Sequence, residues 1–303
     1  MIWARRVIAP KAGMFPKVAA LALLCAPIGF STAVSALELK YVSHIPLYFP
    51  EIGLSEPSGL ATDPDGTGFW IVSDSTHTAF RLDANGDIAA YTGRDDRLRD
   101  LEGVAHDVAQ RRLLMVSERT GSIVTVSLVP PHRAEVVDVT ALPSPTDLTD
   151  ALEDRQNGLE GIAIDPETGT VLVLKERSPR LLVVIAPSLD RVVSVRSLDE
   201  ILPGGEDVSG LAVDPKRRGL WIVSDVGRSV HFLPDDGDVA TFDLYWIDGE
   251  KRRRLKNTEG VALSPDGESL FVVTDDEQDS MLVQYATGRV ATSCPHEMPA
   301  ECQ

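Results

Sequence analysis

The sequence predicts an all-β fold: a five-bladed β-propeller of four-stranded blades, closed by an N-terminal strand, with six blades as the alternative. Three observations predict it. A short glycine motif recurs five times, an acid follows each glycine at one fixed distance, and the strands missing at one end of the chain balance a spare strand at the other.

The elements follow in chain order. Residues 1–17 carry Arg5, Arg6, Lys11 and Lys17 and no acid, and an apolar run from Val18 to about Phe30 comes next. The stretch Ser31–Ala36 then ends in Val34-x-Ala36, so residues 1–36 read as a secretory signal peptide cleaved after Ala36. The apolar run is shorter than the roughly 20 residues a spanning helix needs, which makes an uncleaved membrane anchor the alternative. Leu37–Ser43 is the spare strand, and 37–290 is the propeller domain.

The motif stands at Pro57–Ala61, Leu101–Ala105, Leu159–Ala163, Val208–Ala212 and Thr258–Ala262, centred on Gly59, Gly103, Gly161, Gly210 and Gly260. Fifteen residues after these glycines lie Asp74, Glu118, Glu176, Asp225 and Asp275, each ending an apolar run such as Trp70-Ile-Val-Ser-Asp74. Each unit reads as strands A to D with Asp-Gly or Asn-Gly turns, rich in Val, Ile, Trp and Phe. In the fourth unit A is Gly210–Asp214, B Leu220–Asp225, C Ser229–Leu233 and D Val239–Leu244. Repeated four-stranded units of about 50 residues describe propeller blades. An insertion over Val129–Asn157 is too short for another blade and has room for a short helix near Asp147–Asp154. The fifth unit lacks a D strand, which Leu37–Ser43 supplies, hiding both sheet edges. Residues 291–303 form a tail in which Cys294 and Cys302 have the chance to pair.

A formal charge of −17 excludes a phosphate-backbone partner and suits an exported, periplasmic or secreted protein, or one that holds cations. With the signal removed, no segment is long and apolar enough to span a membrane.

Strand A is innermost in a blade and B returns antiparallel, so the start of A meets the end of B. Pairing Glu102 with Glu118, and likewise 58 with 74, 160 with 176, 209 with 225 and 259 with 275, gathers ten positions at one channel mouth. Eight are acids. Two unit charges about 6 Å apart repel by roughly 2–3 kcal/mol at an effective dielectric near 20, so something must offset them. A hard cation does so, since Ca²⁺ takes six to eight oxygens. The expected ligands are Glu102, Glu160 and Glu259 on the inner strands, with Asn157 and Asn257 adding neutral oxygens. Pairing with Lys175, Arg119 and Arg177, raised pKa values, and backbone N–H groups of the loops are the competing ways to settle the same charge.

The remaining motifs are weaker. Asp-Gly turns such as Asp63-Pro-Asp-Gly66 lack the spacing of a calcium-binding helical hand. The six His show no metal-ligand spacing, and His106 reads as a satisfied rim or core histidine. No nucleophile elbow or phosphate loop is present. Arg252–Arg254 reads as a solvated loop.

Leu54-Ser-Glu-Pro-Ser-Gly-Leu60, Asp100-Leu-Glu-Gly-Val104, Ser117-Glu-Arg119, Asn157-Gly-Leu-Glu-Gly-Ile-Ala163, Lys175-Glu-Arg177, Val208-Ser-Gly-Leu211 and Thr258-Glu-Gly-Val-Ala-Leu263 together resemble the SdiA-regulated (YjiK-like) family. More distantly the chain is similar to NHL-repeat and phytase-like esterase propellers. The family resemblance implies an exported five-bladed propeller with a calcium site and no settled activity. Two functions are carried forward. One is a calcium-binding module of the cell envelope that binds a small molecule or an envelope protein. The other is a calcium-dependent esterase, lactonase or phosphoesterase, with the metal at the channel mouth activating water.

Overall fold

Short runs of β-branched and aromatic residues, each stopped by a turn, cannot bury their faces alone and pack sheet on sheet. The computed structural model of the chain describes residues 35–148, 158–202 and 207–291. The expected signal segment, Asn157, most of the helix expected near Asp147–Asp154, and Cys294 and Cys302 lie outside them.

Blade 1 is β2 (Pro57–Thr62), β3 (Gly68–Ser73), β4 (Phe80–Asp83) and β5 (Ile88–Tyr91). Blade 2 is β6 (Leu101–Asp107), β7 (Arg112–Ser117), β8 (Ser122–Ser127) and β9 (Ala134–Asp138). Blade 3 is β10 (Leu159–Ile164), β11 (Val171–Lys175), β12 (Leu181–Ile185) and β13 (Val192–Ser197). Blade 4 is β14 (Gly210–Asp214), β15 (Gly219–Ser224), β16 (Ser229–Pro234) and β17 (Ala240–Asp243). Blade 5 is β20 (Thr258–Leu263), β21 (Ser269–Thr274) and β22 (Met281–Ala291), with β1 (Ser35–Pro46) outermost.

All ladders are antiparallel, and the first four sheets follow chain order. The inner strands close a ring, β2 against β6, β6 against β10, β10 against β14, β14 against β20 and β20 against β2. The fold is therefore a five-bladed β-propeller sealed by the N-terminal strand. β1 runs along β22 from Ser35↔Ala291 to Pro46↔Met281, longer at both ends than the expected Leu37–Ser43.

One apolar core fills each gap between neighbouring blades. Blades 1 and 2 share Trp70, Val72, Leu101 and Leu113, and blades 4 and 5 share Trp221, Val230, Val272 and Tyr285. Each fully buried Val, Leu or Phe contributes about 1.5–3 kcal/mol, so the interblade cores hold the ring together. Leu37, Leu39 and Tyr41 of β1 pack onto the last of these cores.

The repeat glycines explain themselves at the axis. A Cβ on Gly103 would stand 2.5 Å from the Glu160 carbonyl oxygen, one on Gly210 2.5 Å from that of Glu259, and one on Gly260 2.6 Å from that of Ser58. The inner strands touch backbone to backbone there, and only glycine permits the approach. The channel narrows at these glycines to a void of about 10 Å³. Two mouths result, one where the inner strands begin and one where they end.

One element was not foreseen. Tyr245–Asp248 (β18) and Lys251–Arg254 (β19) form a hairpin outside the blades. Arg252–Arg254, expected in a loop, is strand, because Arg252 stacks 3.7 Å over the Tyr245 ring while Arg253 and Arg254 pair with Asp248 and Asp243. The side chains are exposed, as expected.

Candidate functional site

The acids reach the first mouth through a bulge rather than through direct pairing. In β6 Leu101 pairs with Ser117 and Gly103 with Val116, which leaves Glu102 without a partner across the ladder. The register therefore differs by one from the expected opposition of Glu102 and Glu118, and Asp107 faces Arg112. β2, β10 and β20 break register over the same place, at Ser58, Glu160 and Glu259. A bulge frees the extra residue from the ladder and re-aims its side chain. The fourth blade has no such break, since β14 begins only at Gly210.

The five acids that end the B runs sit just past their strands. The backbone N–H of Asp74, Glu118, Glu176 and Asp275 donates to the carbonyl of Glu56, Asp100, Gly158 and Asn257 respectively, at 2.8–3.3 Å. Each acceptor lies three residues before a repeat glycine. Blade 4 uses a side chain instead, with Ser224 and the Val226 N–H donating to Asp207 at 2.7 and 3.0 Å.

Among the described residues, Glu118, Glu160 and Glu176 bring one carboxylate oxygen each to within 4.8 Å of one another. Glu160 and Glu176 are only 8% and 9% exposed. Glu102 and Glu259 stand outside this group but within reach of its field, because both raise the pKa of Glu160. Of the expected neutral ligands, Asn257 donates its side-chain amide to the Asp275 carbonyl at 2.6 Å.

Every one of these acids is harder to ionise than usual, and burial is the first cause at each. Burial pushes Glu102 up to about 8, the charges of Asp74, Glu118 and Asp100 adding to it against a hydrogen bond with Ser58. Glu176 rises to about 7 from burial, against the pull of Arg177. Burial and Glu56 raise both Asp74 and Asp275 to about 6. Burial and the surrounding carboxylates drive Glu160 and Glu259 well above the usual range. Glu118 and Asp225 are raised too, again first by burial.

Sequence reasoning missed three acids of this mouth. Glu56, Asp100 and Asp207 each raise the pKa of neighbouring site acids. The signal was present, since all three stand three residues before a repeat glycine.

Part of the charge is settled inside the protein. The Gly158 N–H donates to Glu118 Oε1 at 3.2 Å, tying blade 2 to blade 3, and the Thr258 N–H donates to Asp225 at 3.1 Å, tying blade 4 to blade 5. Arg177 pairs with Glu176 at 2.9 Å. Arg119 pairs with Asp100 at 3.0 Å, rather than with the glutamate beside it in sequence. The Lys175 ammonium, though buried, donates to the Arg177 carbonyl at 2.8 Å.

Comparison with known proteins places the architecture. The family model described as SdiA-regulated matches residues 38–277, so the chain belongs to that family. No curated protein sequence is significantly similar. Among solved structures, the glutaminyl cyclase of Myxococcus xanthus is 14% identical with a TM-score of 0.58, over 83% of this chain and 97% of its own. A chain of the nidogen/laminin complex is 16% identical with a TM-score of 0.50, over 79% and 86%. Virginiamycin B lyase of Staphylococcus aureus is 9% identical with a TM-score of 0.47, over 83% and 99%. At these identities the first two likenesses concern the fold alone.

Proposed function

We propose that this member of the SdiA-regulated family is an exported, calcium-binding propeller that serves the cell envelope as a binding module. One observation carries the metal: the meeting of Glu118, Glu160 and Glu176. Two oxygens on one Ca²⁺ at about 2.3–2.6 Å stand no more than about 5 Å apart, and the group meets that limit. All-carboxylate donors suit a hard cation and not a soft one. The ligand set therefore shifts from the one expected by sequence. Glu160 stays, Glu118 and Glu176 join it, and Glu102 and Glu259 surround it.

A bound cation would hold these acids ionised and relieve their mutual repulsion. It would also fasten blade 2 to blade 3, since Glu118 follows β7 while Glu160 and Glu176 belong to blade 3. Export rests on the basic and apolar pattern of residues 1–36. Cleavage after Ala36 would remove only Ser35 and Ala36 from the β1 ladder.

Calorimetric titration of metal-stripped protein with Ca²⁺ tests the metal. Saturable binding is expected, with protons released at pH 7 because raised carboxyls must ionise. At a hundred times its dissociation constant the ion should add about 2.7 kcal/mol, a rise of roughly 5–10 °C in melting temperature. Glu160→Gln should abolish that response. A flat titration would end the proposal. Mass spectrometry of exported protein should find Leu37 as its first residue.

A further inference from the structure

We infer that Gly158 is the positioning residue that confines the metal to the seam between blades 2 and 3. The inference rests on the calcium reading above and gives the reason why this seam, and not its equivalents, serves it.

The repeat offers such acids more than once. Glu118, Glu160 and Glu176 have counterparts in Asp74, Glu102 and Glu118 between blades 1 and 2, and in Asp225, Glu259 and Asp275 between blades 4 and 5. Among the described residues only the first set brings three carboxylate oxygens within 4.8 Å of one another. In that set Glu160 is 8% exposed, and the charges acting on it are those of Glu102, Glu176, Glu259 and Glu118. The acids by themselves do not single out this seam; the residue beside them does.

The difference lies three residues before the repeat glycine. That place holds Glu56, Asp100, Asp207 and Asn257 in blades 1, 2, 4 and 5, and Gly158 in blade 3. A Cβ on Gly158 would stand 2.6 Å from the Glu118 carbonyl oxygen and 2.9 Å from Glu118 Cγ. Real Cβ atoms do not come so close, so any other residue must drive the backbone and side chain of Glu118 away from blade 3. Gly158 also holds what it admits. Its N–H donates to Glu118 Oε1 at 3.2 Å, and its carbonyl accepts from the Glu176 N–H at 3.1 Å. Glu160 follows two residues later. One residue thus sets three ligands from two blades.

At the other two seams a side chain stands in this place and is engaged within its own blade. Asp100 accepts from the Arg119 backbone N–H at 3.1 Å and from its guanidinium at 3.0 Å. Asn257 donates to the Asp275 carbonyl at 2.6 Å. Both residues are left-handed, with φ of 54° and 48°, and Gly158 is not. The glycine therefore serves close approach rather than a turn.

The test is calorimetric Ca²⁺ titration of the metal-stripped parent, Gly158→Ala and Gly158→Asn, each with and without Glu118→Ala. Either glycine variant should bind Ca²⁺ about ten- to a hundredfold more weakly, as loss of a group that orients a ligand does. In the Glu118→Ala background neither should cause a further loss, because both act through that carboxylate. Terbium, a hard cation with the same preference for oxygen, should carry more bound water in either variant than in the parent, read from luminescence lifetimes in H₂O and D₂O. A flat titration of the parent would end the calcium reading and this inference with it. Binding by the parent that folded Gly158 variants leave undiminished, or that falls again in the Glu118→Ala background, would overturn this inference alone. The converse is read with Gly158 intact. Asp225→Glu with Asp275→Glu should leave the number of bound ions unchanged, and adding Asn257→Gly should bring one more between blades 4 and 5. A count that does not rise with Asn257→Gly, or that rises without it, would also overturn the inference.

Discussion

The same five inner strands build two mouths of opposite character. Where they begin, bulges release Glu102, Glu160 and Glu259 from the ladder among further acids, and these three, with the five acids that end the second strands, are raised in pKa. Where they end, the wall is Leu, Val, Ile and Ala, and the aspartates beyond it are held by neighbours, Asp63 by Arg81, Asp107 by Arg112 and Asp214 by Arg217. Acids are thus abundant at both ends of strand A. What differs is whether a cationic side chain reaches each one. At the far end three aspartates have an arginine and Asp165 is held by Thr168 and the Glu167 N–H, so the mouth can be apolar. At the near end the described acids crowd around fewer basic side chains, Arg119, Arg177 and Lys175 among them, and that crowding is what the proposed calcium would relieve.

The largest expected effect removes both mouths together. Deleting residues 35–46 strips β1 from β22 and uncovers the core beneath Leu37, Leu39 and Tyr41. The melting temperature should fall by more than about 10 °C, and supplying the same strand after residue 291 should restore it. A deleted protein that melts like the parent would refute closure by β1.

Gly103→Ala attacks the constriction between the mouths. Its methyl would meet the Glu160 carbonyl at 2.5 Å, so blades 2 and 3 must part. A loss of about 3 kcal/mol or more is expected in urea unfolding, beyond the usual overpacking range because the obstacle is backbone. By contrast Gly93→Ala meets nothing within 4 Å, and its cost should be only the strain of a positive φ of 81°.

A smaller effect separates the mouths by pH. Glu176 and Glu102 titrate near 7 and 8 when folded, above their usual values, so the folded protein binds more protons than the unfolded chain across this window. Stability must then fall as pH rises from about 6.5 to 8.5 in chelator. His231, lowered to about 4 by burial, acts the other way but only below its usual value, outside that window. A drop of about 5 °C is expected, and saturating Ca²⁺ should flatten it. In chelator at pH 8.5, Glu160→Gln should raise the melting temperature, since it removes a buried carboxyl whose ionisation burial and Glu102, Glu176 and Glu259 oppose. A loss there would mean that the carboxylate is a structural bond acceptor.

The smallest effect is a control at the outer turn. Asp236→Asn lies in an exposed turn between the two outer strands of blade 4 and should change neither the calcium response nor stability by more than about 0.5 kcal/mol.

Much of this was legible in the residues. The recurring glycine set the blade boundaries, and the acid fifteen residues on marked where each second strand stops. The missing last strand named the first as its replacement. Strand periodicity, turn residues and close backbone approach are all local consequences of side-chain size and backbone freedom, and a local pattern repeated five times is readable without coordinates. Even the overlooked acids Glu56, Asp100 and Asp207 followed the repeat.

Tertiary structure alone decided which of these groups meet. A bulge moves a residue out of register by backbone geometry that the motif does not spell, so Glu102 does not oppose Glu118. Glu118 meets Glu160 and Glu176 across a blade boundary, where distance is set by how two sheets pack. Trp70 and Trp221 occupy the same place in their motifs, yet only Trp221 has a hydrogen bond to its aspartate, while Asp63 stands against Arg81 and His106. Sequence fixes what each strand offers, while partner choice between strands belongs to the packed ring, where neighbours compete for the same charge.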